Sequence, residues 1–275
     1  MSDTKELVQK QEQELALLAT LDTLPTGVDE EVTSELRPPF LCLVQDLSPQ
    51  VTGKGGKKVE GARPGLMYNP ASGTFYEELT FIPVHEKREF TEWKPRGQGG
   101  GKVASYSPRD PFITQIRATQ EFAKYKNPNT GDPTKPKTQH DIIETVNLVG
   151  LIVDGDSYDP VVISLYKTKL KPFTAWRRQV AYTLVNIGGK KVNPKQLFLY
   201  RMKFRTQQEE YAEGMTWNYV ITGADGGHPK DTICLDVNDP GTQMAIGLLQ
   251  SIEAGQVVIE PDQPPDTAAP EEVAF

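Results

Sequence analysis

The chain is poor in the residues that carry chemistry. Its 275 residues include two cysteines and three histidines. Cys42 and Cys234 stand far apart in no CxxC spacing, so they are expected as reduced, buried, small apolar residues. His85, His140 and His228 sit in unrelated contexts with no HxxxH spacing, so no metal site is expected. No GxSxG nucleophile elbow occurs. The runs 97-GQGGGKVAS-105 and 53-GKGGKK-58 lack the spacing of a phosphate-binding loop. No apolar run approaches the roughly 20 residues that span a bilayer. The opening MSDTKELVQKQEQELALLATL is polar and mixed in charge, unlike a signal peptide. These absences point to a cytoplasmic protein that is not an enzyme, uses no cofactor and does not enter a membrane.

Acid pairs are present, in Asp154 with Asp156 and Asp231 with Asp236. Turn and cap chemistry accounts for them. A metal-dependent nuclease would need such carboxylates gathered on a rigid sheet edge, and the sequence shows no such convergence.

A second absence is more informative. From Pro160 to Arg205 there is no Asp or Glu, against eleven Lys and Arg. From Thr206 onward the only basic residue is Lys230, against thirteen acids. The first 35 residues carry nine acids against Lys5 and Lys10. A basic middle therefore lies between acidic ends, although the formal net charge is -7. That segregation predicts a polyanionic partner for the middle and an internal competitor at an end. The alternative is a plain solvated surface.

Hydrophobic periodicity divides the chain into three parts. Residues 1–36 form an acidic segment, helical over 3–24 or disordered, with Pro25 and Gly27 as breakers. Residues 37–255 form a β-rich domain. Strands are predicted at 40–44, 74–84, 101–106, 197–205 and 215–223. A hairpin joins 146–153 to 161–168 through Asp154-Gly155-Asp156. Residues 123–140 lack periodicity and form a long loop. One helix is predicted over 173–186, with Phe173, Trp176, Val180 and Leu184 on one face and Gly188-Gly189 as its stop. A second covers 239–255, with Asp239 as N-cap and Gly255 as stop. Residues 256–275 are proline-broken and acidic, a disordered tail. No βαβ alternation appears, so a doubly wound sheet is excluded.

Single-stranded nucleic acid is held by cations that track the backbone and aromatic faces that stack on bases. The stretch 93-WKPRGQGGGKVASY-106 offers Trp93 and Tyr106 as platforms and Lys94, Arg96 and Lys102 as phosphate partners. The window 166-YKTKLKPFTAWRRQ-179 repeats the mixture with Lys167, Lys169, Lys171, Trp176, Arg177 and Arg178. Trp176 at helical spacing from Phe173 suits a core better than a stacking face. On strand 197–205, Phe198, Tyr200, Met202 and Phe204 point one way. Arg201, Lys203 and Arg205 form a row on the other face, about 7 Å between successive members.

The C-terminus 261-PDQPPDTAAPEEVAF-275 resembles the acidic tails ending in Phe of bacterial and phage single-stranded-DNA-binding proteins, most closely at 271-EEVAF-275. The segments 68-YNPASGTFYEELTFIPV-84 and 92-EWKPRGQGGG-101 also resemble phage proteins taken to bind single-stranded DNA. The resemblance implies a mainly β fold, an OB-fold-like barrel with long loops and one or two helices. It implies sequence-tolerant binding of single-stranded DNA in phage replication or recombination. Phe275 would anchor in a replication partner, with Glu271 and Glu272 as flanking acids, and the tail would compete for the DNA groove. This tail is less acidic than the family's usual pattern. The rival readings are a virion or scaffold protein and the nuclease weighed above.

Overall fold

The structure is a computed structural model that describes residues 37–93, 102–119, 141–187, 189–211 and 214–259. The helix expected over 3–24, the loop 123–140 and the tail from residue 260 lie outside the described residues. The fold is mainly β, a sheet curled into a half-barrel, consistent with an OB-like barrel.

Eleven strands are described: β1 (Phe40–Leu43), β2 (Met67–Asn69), β3 (Thr74–Tyr76), β4 (Glu78–Trp93), β5 (Lys102–Tyr106), β6 (Asp141–Asp154), β7 (Ser157–Tyr166), β8 (Val185–Ile187), β9 (Lys190–Val192), β10 (Met202–Tyr211) and β11 (Gly214–Gly223). Four helices accompany them: α1 (Pro49–Thr52), α2 (Pro111–Thr119), α3 (Leu170–Ala181) and α4 (Pro240–Glu253). The main sheet runs β11-β10-β4-β6-β7-β1-β2-β3, with β5 also paired to β4. All its pairings are antiparallel except β1 with β7. Strands β8 and β9 form a separate hairpin.

The long β4–β6 ladder is the spine of the sheet. A bulge between Pro83 and His85 shifts its register, which turns the strand and lets the sheet curl. Opposite the bulge sits Gly150, where a Cβ would stand 2.2 Å from the Ile82 carbonyl and 2.5 Å from the Phe81 ring. Only glycine lets the two strands approach that closely. The β6–β7 turn falls where the sequence predicts it, with Asp154 opposite Ser157.

Alternation along the strands fills the barrel. Leu79 and Phe81 from β4, Val146, Leu148 and Ile152 from β6, and Val161, Ile163 and Leu165 from β7 meet Met202 and Phe204 from β10. Helix α3 closes one side with Phe173, Trp176 and Val180. The two ends of the curled sheet are joined by side chains. The Gln45 amide donates to the Trp217 carbonyl and accepts from the Trp217 N–H, both at 2.9 Å. That bidentate pair imitates one rung of a ladder. Beside it Gly65, at a left-handed φ of 89°, sits against the Trp217 ring.

The opposite face of the sheet carries α4. Asp239 caps it, accepting from the Thr242 N–H at 2.8 Å, and Pro240 occupies its first position. After Gly255 the chain stays on the domain. Val257 and Ile259 pack with Phe40, Val149 and Val162, and Lys87 Nζ donates to the Ile259 carbonyl at 3.0 Å. The packed chain thus reaches Ile259, past the stop where the tail is expected to begin.

Three expectations need correction. The strand predicted at 74–84 is two, β3 and β4, broken at Glu77, and β4 runs on to Trp93. The strand predicted at 197–205 begins only at Met202, because Leu197–Leu199 make a 3-10 turn. The helix predicted to Asn186 ends at Ala181. Of its expected stop, Gly189 instead precedes β9 in the β8–β9 hairpin and Gly188 lies outside the described residues, and Leu184 is 60 % exposed rather than buried.

Candidate nucleic-acid interface

The row Arg201, Lys203 and Arg205 is real as geometry. Tyr200, Met202 and Phe204 point into the core at zero exposure, as the alternation requires. The cations opposite them are occupied. Arg201 donates to Asp239 Oδ2 at 2.6 Å, to Thr242 Oγ1 at 2.8 Å and to the Phe198 carbonyl at 2.9 Å. It is a strut under the start of α4. Burial works against the Asp239 carboxylate, but the Thr242 amide and hydroxyl and the Arg201 guanidinium hold it below the usual range. Lys203 and Arg205 share Glu78, at 3.1 and 2.8 Å. Their bonds, the one from Lys203 foremost, hold Glu78 below its usual range.

The second window divides. Trp176 is a core side chain, at 5.8 Å from the Tyr200 ring and stacked on Phe173. It offers no face to a base, because the same helical spacing that aligns it with Phe173 aligns both with the barrel. Arg177 pairs with Glu86 at 3.0 Å. Lys169 lies over the Tyr166 and Tyr219 rings, at 4.6 and 5.8 Å. Lys171 is exposed beside Glu209, whose carboxyl is held low by the Tyr211 hydroxyl, then by Asn218 and Gln207. Lys167 is exposed at a left-handed φ of 51°, a backbone state unusual without glycine. Arg178 is exposed.

The first window divides too. Lys94 and Arg96 lie outside the described residues. Lys102 is exposed on β5. Trp93 ends β4 with 9 % of its surface accessible, so its ring is not an open platform. Tyr106 is half-buried, with its hydroxyl donating to Glu92 Oε2 at 2.6 Å and its ring 4.9 Å from Phe112. Glu271, Glu272 and Phe275 lie outside the described residues.

What the sequence reading passed over is Tyr182. It follows the last residue of α3 and is 82 % exposed, with Leu184 and Val192 also exposed nearby. The exposed cations before and after it in the chain are Arg178, Lys190, Lys191 and Lys195. The site is a built one. Asn193, just after β9, places its amide nitrogen 3.1 Å from the Val180 carbonyl and 3.2 Å from that of Ala181, and also donates to Thr183. One side chain thereby caps the helix and roots the hairpin on it. Below, the Tyr200 hydroxyl donates to the Pro194 carbonyl at 2.8 Å. Burial raises that hydroxyl above its ordinary pKa, so it stays a donor.

Two signals for this site were in the sequence. Tyr182 stands nine residues after Phe173, about two and a half turns at about 3.6 residues each, which puts it opposite the buried face. The run VNIGGKKV has β-branched flanks around Gly-Gly, a two-residue hairpin signature.

Asp154 ends β6 and Asp156 lies in the exposed turn to β7. Among the described residues no three of His, Cys, Asp and Glu gather as a metal site, and no helix is long and apolar enough to cross a membrane.

The chain is a phage protein. It belongs to the family of the Pam3 phage gp34-like protein, whose model matches residues 9–233. The match takes in the barrel, α3 and the β8–β9 hairpin, and ends before α4. No curated protein and no solved structure matches the chain.

Proposed function

We propose that this phage protein binds single-stranded DNA without sequence preference, in replication or recombination, and catalyses nothing. The interface we assign is the end of α3 with the β8–β9 hairpin, not the row along β10. One observation carries this: the longest acid-free stretch of the chain, 160–205, presents an aromatic ring that is 82 % exposed, with exposed cations before and after it in the chain. A stacked base is worth about 1–3 kcal/mol. Each phosphate met by Arg178, Lys190, Lys191 or Lys195 releases counterions, which makes affinity fall with salt. Lys167, Lys171 and Lys102 are exposed cations that extend the reach of the backbone contacts. OB-like barrels commonly carry oligonucleotides on their strands and loops. The C-terminal segment with Glu271, Glu272 and Phe275 supplies the contact to a replication partner.

The test is fluorescence anisotropy with an oligo-dT, compared with duplex of the same length, with and without magnesium. The single strand is expected to bind more tightly, with affinity dropping by orders of magnitude between about 50 and 200 mM salt. Tyr182→Ala is expected to weaken binding by about 5- to 150-fold, the equivalent of about 1–3 kcal/mol. Lys190→Glu with Lys191→Glu should flatten the salt response. Equal binding of duplex, or a Tyr182→Ala variant that binds like the parent, would remove this proposal. Magnesium-stimulated degradation would favour the nuclease reading, and large assemblies indifferent to DNA the scaffold reading.

A further inference from the structure

The molecule carries a second exposed apolar patch, of opposite charge to the first. Leu235 and Val237 precede α4, and both are exposed, Val237 at 57 %. Met244, on the first turns of α4, is exposed as well. The segment is fixed in place. The Asn238 N–H donates to Asp236 at 2.9 Å, the Gln243 amide donates to the Val237 carbonyl, and Thr242 Oγ1 lies 3.7 Å from Cys234 Sγ. Rigid apolar side chains held in solvent usually mark a contact surface. The neighbouring exposed charges are Asp231 and Asp236, with Lys230 exposed beside Asp231, so the rim is acidic on balance. From Thr206 to the end Lys230 is the one basic residue.

The hairpin is its complement. Tyr182, Leu184 and Val192 are exposed apolar side chains amid lysines, with no acid in the same 46-residue stretch, 160–205. Both patches are open in one chain, so they do not satisfy each other within it. A symmetric pairing of like patches would set charge against like charge. Pairing of unlike patches between copies puts apolar on apolar and basic rim on acidic rim.

We infer that a second copy of this chain occupies the hairpin: its Leu235–Val237 patch docks on Tyr182, Leu184 and Val192 of the next molecule, head to tail. The contact is heterologous, so it builds rings or open chains rather than two-fold dimers. It covers the same ring that the single strand needs. Single-stranded DNA and a second copy therefore compete, and free protein sequesters its own interface. The self-contact stands on charge and exposure alone; its release by DNA rests on the function proposed above.

The experiment uses the full chain in size-exclusion chromatography with light scattering at low salt. The parent is expected to form assemblies that grow with concentration and dissociate as salt rises. Two variants each remove one side, Tyr182→Ser with Leu184→Ser on the hairpin, and Leu235→Ser with Val237→Ser on the acidic patch. Each alone is expected to be monomeric, with unchanged circular dichroism. Mixed in equal amounts they should form one-to-one heterodimers and nothing larger, since only one competent pair of patches remains. A parent that stays monomeric, a mixture that stays monomeric, or an acidic-patch variant that still assembles would overturn the self-contact. Oligo-dT should dissolve the parent's assemblies, and the acidic-patch variant should bind it at least as tightly as the parent. Assemblies that bind oligo-dT without dissociating would overturn the competition. An acidic-patch variant that does not bind oligo-dT would overturn the DNA reading and leave the self-contact standing.

Discussion

Trp176, within α3, and Tyr182, just past its end, lie in the same acid-free stretch, yet one is 1 % exposed and the other 82 %. The contrast extends to the cations around them. Those on the barrel wall meet acids brought in from elsewhere: Arg177 meets Glu86, Arg201 meets Asp239, and Lys203 and Arg205 meet Glu78. Those on the hairpin, Lys190 and Lys191, stand on a two-stranded projection away from the wall and are exposed. The same composition thus serves two purposes. On the wall it cements strands to helices; on the hairpin it leaves charge available to a ligand. An acid-free run predicts a basic surface only where the fold places no acidic strand beside it.

Removing Trp176 sharpens this contrast most. Trp176→Ala opens a cavity against Phe173 and Tyr200 and should cost about 3–5 kcal/mol in urea unfolding. Tyr182→Ala should stay within about 0.5 kcal/mol of the parent. A Trp176→Ala protein with the parent's unfolding midpoint would break the comparison outright.

Arg201→Ala comes next. It strips hydrogen bonds from Asp239, Thr242 and the Phe198 carbonyl, and the loss should be about 2 kcal/mol. Lys191→Ala should leave the unfolding curve unchanged. Equal effects of the two substitutions would show that wall and hairpin cations are alike.

The smallest effect is in pH. Burial lowers the pKa of His85, although Glu253 and Glu86 pull it upward. A group with a depressed folded pKa stabilises the fold fully above its unfolded value, about 6.5 for histidine. That contribution drains away as pH falls toward the folded value, because the unfolded chain then binds more protons. Thermal melts should therefore decline from about pH 7 to about pH 5, and His85→Gln should flatten that part of the profile. Asp239 is also held low, so its contribution is lost only in stronger acid, below about pH 4. A profile unchanged by His85→Gln would place the pH dependence elsewhere.

Much of the barrel was legible from local pattern. The β6–β7 hairpin is announced by Asp-Gly-Asp between apolar runs, and α4 by Asp239 and Pro240, because turn and cap chemistry act over a few residues. The inward set Tyr200, Met202 and Phe204 followed from a period of two, but Phe198, in the 3-10 turn before them, packs instead with Ile82 and Ala245 beside α4. The end of α3 was not legible in the same way. Thr183 turns its hydroxyl back to the Gln179 carbonyl at 2.8 Å, and Asn193 caps the helix from beyond the hairpin. Those contacts outweigh a helical pattern that continues through Leu184. Trp93 is buried at the end of β4, in register with Lys102 of β5 and Asp141 of β6, a burial that the polar, glycine-rich run after it does not announce.

The sequence alone determined that the protein is mainly β, that its middle is basic and its ends acidic, and where most strands begin and turn. These depend on periodicity and short-range bonding, which a linear string records. Only the tertiary structure decided which cations are spent and which ring is open. Charge neutralisation requires approach to within a few ångström, and the Lys203–Glu78 pair spans 125 residues of sequence. Distances of that kind exist only once the sheet has curled.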